Sequence, residues 1–335
     1  MEEKDIIQLF KTVAQSLPFY PFIKKGIEDD AAVLKFGDIY LLWTTDLFIE
    51  NTHFRWEWMS SFALAYKALA VNISDIAAMG GKPLCFTISI GFPKEFSKNK
   101  LQEFLQSLKK TAQEYKLALI GGDTVESEKT VINISLLGTA PKGQIIFRSK
   151  AKVGDIICVS NYLGNAAAGL ALLERGYNVE DPIFSSLINA QLFPKPEVSL
   201  GQYLAQTGLV DAMIDVSDGI ASDLTWICLE SRVGAEIYQE KLPILPACKE
   251  AAKRLKINIL QWVLSGGEDY CLLFTVPASE VEGLKKDIQK KFKKDIFIIG
   301  EITKGNKVYL ISNGQKEDIS QKGFSHFKDK RVCKN

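Results

Sequence analysis

Seven aspartates carry most of the chemical content of this 335-residue sequence: Asp29, Asp30, Asp46, Asp75, Asp123, Asp215 and Asp218. Each stands at the end of an apolar run or beside glycine: Asp46 follows Trp43-Thr44-Thr45, Asp123 follows Gly121-Gly122, and Asp218 precedes Gly219. An aspartate before glycine can simply form a turn or cap a helix. Asp75 does not fit that reading. It lies in Val71-Asn72-Ile73-Ser74-Asp75-Ile76-Ala77-Ala78-Met79, a helical segment apolar nearly all round, with no Lys or Arg three or four residues away. A buried carboxylate is costly unless a cation compensates it. Hard divalent cations do so through oxygen ligands and commonly share them with phosphates. The set therefore points to a polyphosphate held through Mg²⁺.

The common phosphate-binding signatures are missing: no Gly-x4-Gly-Lys-Ser/Thr, no Gly-x-Gly-x-x-Gly and no His-Arg-Asp loop occurs. Gly80-Gly81-Lys82-Pro83 reads as a helix stop. With 2 histidines and no Cys-x-x-Cys among 6 cysteines, a His- or Cys-based metal site is not expected. The cysteines at 85, 158, 228, 248, 271 and 333 read as reduced thiols, most of them among apolar neighbours. A net charge of +1 gives no reason to expect nucleic acid or an acidic membrane as partner. No run reaches the roughly 18 apolar residues of a membrane helix; the most apolar segment, Phe62 to Val71, is interrupted by Lys67. The N-terminus, Met-Glu-Glu-Lys-Asp, is acidic where a signal peptide is basic, so a cytoplasmic chain is expected.

The elements that must position these residues follow from periodicity. Helices are expected over Glu2 to Leu17, from a Ser61 cap to Gly80, through Phe96, Leu101, Phe104, Leu105 and Leu108, over Ala166 to Arg175, and from Ile220. Strands are expected at Ala31 to Leu34, Tyr40 to Thr45, Cys85 to Ile90, Val131 to Gly138, Asp155 to Ser160, Ala235 to Tyr238 and Tyr270 to Val276, and near Ile296 and Val308. Leu117 to Ile120 reads as a short buried strand running into Gly121-Gly122. Composition turns to Lys, Gly and Pro around Ala140 to Gly154, which places a boundary between units 1–145 and 146–330. Strands and helices mix without strict βαβ alternation, so the fold class is α+β, two layered domains rather than a Rossmann sheet.

Six ordered motifs carry a resemblance. They are Gly26-Ile27-Glu28-Asp29-Asp30-Ala31-Ala32, Thr44-Thr45-Asp46 with Glu50-Asn51-Thr52-His53-Phe54, Ala65 to Gly80, Gly121-Gly122-Asp123-Thr124, Asp215-Val216-Ser217-Asp218-Gly219 and Ser265-Gly266-Gly267-Glu268-Asp269-Tyr270. In this order the chain resembles the thiamine-monophosphate kinase family, within the aminoimidazole-ribonucleotide-synthetase-like superfamily, from about residue 24 to Phe327. The resemblance implies a homodimer whose N-terminal sheets form a barrel across the two-fold axis. It also implies a cleft between the domains for ATP and thiamine monophosphate, and direct in-line transfer with several Mg²⁺ ions to give thiamine diphosphate.

By the same resemblance, Asp30, Thr44, Thr45, Asp46, Asp75, Asp123, Asp215 and Asp218 match metal positions. Gly122, Asp123, Arg148 and Ser217 match positions around the ATP phosphates, and His53, Glu268 and Phe324 match positions holding thiamine monophosphate. Asp46, Asp123, Arg148 and Asp218 would carry the catalysis. On their own, His53 reads as a strand-end histidine, Arg148 as a solvated linker residue and Phe324 as core. Three departures stand out: Glu28 replaces a usual Gly, Asn51-Thr52 replaces a common Gly-Val, and Leu105 falls where many members carry Tyr. The competing readings are another ATP-dependent enzyme of the superfamily, acting on a different acceptor, and a non-catalytic nucleotide-binding module.

Overall fold

The computed structural model describes residues 3–323; Phe324 and Cys333 lie outside the described residues. The first half begins with α1 (Glu3–Ser16), β1 (Ile23–Lys25), β2 (Ala32–Phe36) and β3 (Ile39–Ile49). There follow α2 (Ser61–Ala78), β4 (Lys82–Phe92), α3 (Lys98–Glu114), β5 (Ala118–Glu126) and β6 (Val131–Pro141). The six strands form one mixed sheet in the order β1-β2-β3-β6-β4-β5, in which only the β4–β5 pair is parallel. Along β6, buried Ile132, Ile134 and Leu136 alternate with half-covered neighbours, the period-2 pattern of a sheet with one face on a core. That face receives α2, which is buried on nearly every side because α3 and a helix of the second half also pack on it.

The second half holds β7 (Asp155–Val159), α4 (Asn165–Leu173), α5 (Ser185–Leu192), α6 (Val198–Thr207), β8 (Ala212–Asp215), α7 (Ile220–Ser231) and β9 (Gly234–Tyr238). It ends with α8 (Pro246–Leu255), α9 (Ile259–Ser265), β10 (Leu272–Pro277), α10 (Val281–Phe292), β11 (Phe297–Thr303), β12 (Val308–Ser312) and β13 (Gln315–Asp318). Its seven strands run β13-β12-β9-β11-β7-β10-β8, again mixed. Two mixed sheets with helices layered on them are the α+β architecture expected, and no Rossmann crossover pattern is present among the described residues.

Three local readings need correcting. The cap of α2 is Ser60, whose hydroxyl accepts from Ala63 N–H at 3.1 Å, while Ser61 is the buried first residue of the helix. Phe96 precedes α3 and stacks on Phe92 at 4.1 Å instead of belonging to the helix. The strand expected to be short and buried is nine residues long, carries Gly121-Gly122 within it, and is exposed along its whole length. Its apolar residues looked like core because periodicity reports hydrophobicity, not what covers it. In the single chain β5 is a sheet edge, with Leu119, Ile120 and Val125 all more than half exposed.

The five described cysteines are free and four are buried. Burial pushes the thiols of Cys158, Cys228 and Cys248 up to about 12, which makes them inert. No described helix is long and apolar enough to cross a membrane.

Candidate active site

The two sheets meet at α2. Asp75, in its last turn, accepts a hydrogen bond from Thr44 Oγ1 of β3 at 2.5 Å, and the adjacent Ser74 Oγ donates to Asp215 Oδ2 at the end of β8, also at 2.5 Å. The helix thus links a carboxylate of one half to a carboxylate of the other. Asp30, in the turn before β2, completes the group: ligand oxygens of Asp30, Asp75 and Asp215 all lie within 4.8 Å of one another. Asp46, two residues after Thr44 on β3, lies close enough to Asp75 for its charge to raise that carboxyl. These acids come from four places in the chain, yet three of the seven aspartates met in sequence form one constellation and a fourth adjoins it.

Burial raises every one of these carboxyls, and repulsion between them adds to it at Asp75 and Asp215. Asp215 is pushed up to about 7 by burial and by Asp30, Asp46 to about 6 by burial, and Asp75 well above the carboxylate range by burial and by Asp46, Asp215 and Asp30. Asp29 rises to about 7 for the same reasons, against the pull of Arg148. Such a cluster favours protons or a cation. Among the described residues, buried Asp30 Oδ2 and Asp46 Oδ2 have no hydrogen-bond partner, and the donor set is oxygen only, which fits Mg²⁺.

Arg148 supplies a positive charge to the group. Its guanidinium donates to Asp30 Oδ1 at 2.6 Å and its backbone N–H to Asp29 at 3.2 Å, so it is far from the solvated linker residue that sequence alone suggests. The carboxylates of Asp30, Asp29 and Asp215 raise its already high pKa, so it stays charged throughout. Arg148 Nε–H is buried and has no hydrogen-bond partner among the described residues.

The remaining site residues stand further out. Asp123 lies on the exposed strand β5, opposite Ser89 of β4, and two strands separate it from β3 and Asp46. Thr45 Oγ1 is engaged within the sheet, donating to Ile134 O. Gly122 is pressed so closely on Ile88 O that a Cβ would sit 1.8 Å from it. Ser217 and Asp218 occupy the loop between β8 and α7, and Ser217 O accepts from Glu268 N–H at 2.8 Å. Gly219 and Gly267 both have positive φ, 99° and 66°, and a Cβ on Gly267 would lie 2.3 Å from Ser217 O, so the two loops interlock backbone to backbone. His53 Nδ1 accepts from Ile49 N–H at 3.0 Å, which fixes the ring beside Phe48.

The departures have physical explanations. Asn51 has φ 66°, a left-handed conformation that Asn tolerates in place of Gly. Glu28 keeps negative φ and is paired with Lys25 at 3.0 Å and Lys11 at 3.7 Å, next to Glu230 of α7. Leu105 is an exposed residue of α3.

Three residues near the site escaped the sequence reading. Asp223, fully buried in the first turn of α7, accepts from Asp218 N–H at 3.3 Å; its place five residues after Asp218 was a usable signal. Tyr270 donates from its N–H to Val216 O at 2.9 Å beside Asp215, and burial first, then the charges of Glu268, Asp46, Asp215 and Asp75, hold its hydroxyl well above the usual range. Lys67 appeared only as an interruption of an apolar run, and it ion-pairs with Glu268 at 2.7 Å.

Nearly the whole chain also matches known proteins. Residues 28–140 match the AIR synthase related protein N-terminal domain and residues 152–313 the corresponding C-terminal domain. The thiamine-monophosphate kinase of Buchnera aphidicola subsp. Schizaphis graminum is 40% identical over 307 residues, covering 90% of this chain and 92% of that one. The chain belongs to the thiamine-monophosphate kinase family. The Bacillus subtilis member is 35% identical over 336 residues, 98% of this chain and 100% of its own. A solved member, AaThiL complexed with AMPPCP and TMP, superposes with a TM-score of 0.83 at 30% identity and covers 97% of both chains.

Proposed function

We infer that this protein transfers the γ-phosphate of ATP to thiamine monophosphate, giving ADP and thiamine diphosphate. The observation that carries the reading is the convergence of Asp30, Asp75 and Asp215 from both halves of the chain, with Arg148 beside them. A family member solved with an ATP analogue and TMP supports it.

Asp30, Asp75 and Asp215 would hold Mg²⁺, with Thr44, Thr45, Asp46, Asp123 and Asp218 as further ligands. When bound, the metal neutralises phosphate charge and orients phosphate oxygens. The chain's own part is positioning. Arg148, with its unpartnered Nε–H, offers a donor to a phosphate oxygen and stabilises charge on the transferring group. Gly122, Asp123 and Ser217 are proposed to line the ATP phosphates, Gly122 bringing the backbone close where no side chain fits. His53, Glu268 and Phe324 are proposed to hold thiamine monophosphate. The acceptor phosphate is already anionic, so no general base is needed and an in-line displacement requires only orientation and charge neutralisation.

The boundary between the units is placed at 145/146, inside the stretch left between the two family matches. We also propose a homodimer through β5. A long, fully exposed edge strand bearing Leu119, Ile120 and Val125, near exposed Trp43 and Leu47 of the same sheet, is an aggregation hazard unless a second copy covers it. That closure would build the barrel expected across a two-fold axis. Chromatography of products formed from ATP and Mg²⁺ with thiamine monophosphate, thiamine or no acceptor tests the activity. Thiamine diphosphate should form from the monophosphate alone and disappear with EDTA; ADP without thiamine diphosphate would move the acceptor elsewhere.

A further inference from the structure

Lys67 has no solvent exposure at all, and it sits in the middle of α2 among alanines and leucines. Its Nζ lies 2.7 Å from Glu268 Oε1. Gln191 of α5, also buried, donates from Nε2 to Glu268 Oε2 at 2.7 Å. Both oxygens of one carboxylate are therefore held, from two different helices. The backbone of Glu268 is itself unusual, with φ 59°, a conformation a non-glycine residue adopts only when its surroundings impose it. The backbone places this residue beside the end of β8 and Asp215: Glu268 N–H donates to Ser217 O at 2.8 Å and Tyr270 N–H to Val216 O at 2.9 Å.

Stability does not account for the pair. Burying a lysine costs several kcal/mol, and an apolar side chain of similar volume usually serves a fold at least as well. The Glu268 side chain, meanwhile, keeps 29% of its surface exposed, so it still faces something outside the protein core.

We propose that Lys67, assisted by Gln191, is a positioning residue for the acceptor: it fixes the Glu268 carboxylate in the one orientation that meets the cationic ring of thiamine monophosphate. This rests on the reading of Glu268 as an acceptor residue. Lys67 touches no substrate. Its ammonium is paired by charge with Oε1 at 2.7 Å, and Gln191 donates to Oε2, while the side chain of Glu268 keeps 29% of its surface exposed. Without Lys67 the carboxylate would be free to rotate in its loop and would present its charge in several directions.

Steady-state kinetics of the full-length protein test this. Lys67→Met should raise KM for thiamine monophosphate by about tenfold, the scale of one close ion pair outside bulk water, with kcat and KM for ATP changed by less than about twofold. A general structural defect would instead lower kcat or raise both KM values. Glu268→Gln should raise the same KM, and Lys67→Met added to Glu268→Gln should cost nothing more, because the residue acts through that carboxylate. An unchanged KM in Lys67→Met beside a raised one in Glu268→Gln overturns the positioning role while leaving Glu268 in place. Full additivity in the double variant overturns it too. An unchanged KM in Glu268→Gln overturns the reading of Glu268 itself. Should Lys67→Met fail to fold, Gln191→Leu carries the same cycle: a several-fold higher KM alone, and no further change on Glu268→Gln, is expected, and the opposite overturns the proposal.

Discussion

Asp30, Asp75 and Asp215 are held close enough to repel one another, and in the metal-free protein they respond by keeping protons that the unfolded chain would release. Asp215 titrates near 7 and Asp46 near 6 in the fold, against an ordinary carboxylate value of about 4. For acids raised in this way, the folded state binds more protons than the unfolded one between about pH 4 and pH 7. Their contribution to stability is complete below about pH 4 and is lost as pH rises through 7. The midpoint of thermal unfolding in EDTA should therefore fall from pH 5 to pH 7.5. The upward shift produced by Mg²⁺ should grow over the same window, because ligation requires the deprotonated form. A Mg²⁺ shift independent of pH would contradict this. Asp75→Asn gives a second test, since it removes one of the repelling charges and keeps an oxygen for Thr44. Tm in EDTA should rise by about 2 °C, the Mg²⁺ shift should vanish, and thiamine diphosphate formation should fall by about 100-fold or more.

At the scale of elements, the site depends on two loops that interlock without side chains. Gly267 and Gly219 lie where the Asp215–Gly219 and Ser265–Asp269 segments cross, and Gly267→Ala would place a methyl 2.3 Å from Ser217 O at φ 66°. That substitution should cost about 1–3 kcal/mol of stability and reduce kcat through displaced Ser217 and Asp218, which unfolding curves and steady-state rates would show together. These segments were legible in the sequence because both are among the six ordered motifs that carry the family resemblance, although an aspartate beside glycine by itself also suits a plain turn. So was α2, whose apolar run with a single aspartate announced both a buried helix and something to neutralise it. The pairing that completes the site was not. Arg148 is 118 residues from Asp30, and Lys67 some 200 from Glu268, so neither contact leaves a local spacing. Similarly, β5 is apolar enough to pass for core, and only the strand order and its exposure reveal that none of the described residues covers it.

For the whole molecule, the exposed edge and the split site make two separate demands. The edge calls for a second copy, so Ile120→Asp, a charge on the free strand, should convert a dimer to a monomer in sedimentation velocity; an unchanged dimer would place the interface elsewhere. The split site calls for both halves at once, because Asp30 and Asp75 come from the first and Asp215 from the second. The most direct test of the account follows the phosphate itself. With ATP labelled at the γ-phosphate, thiamine monophosphate and Mg²⁺, the label should appear in thiamine diphosphate in step with ADP, and not in inorganic phosphate. Label released as inorganic phosphate, with thiamine monophosphate unchanged, would contradict direct transfer at the aspartate cluster.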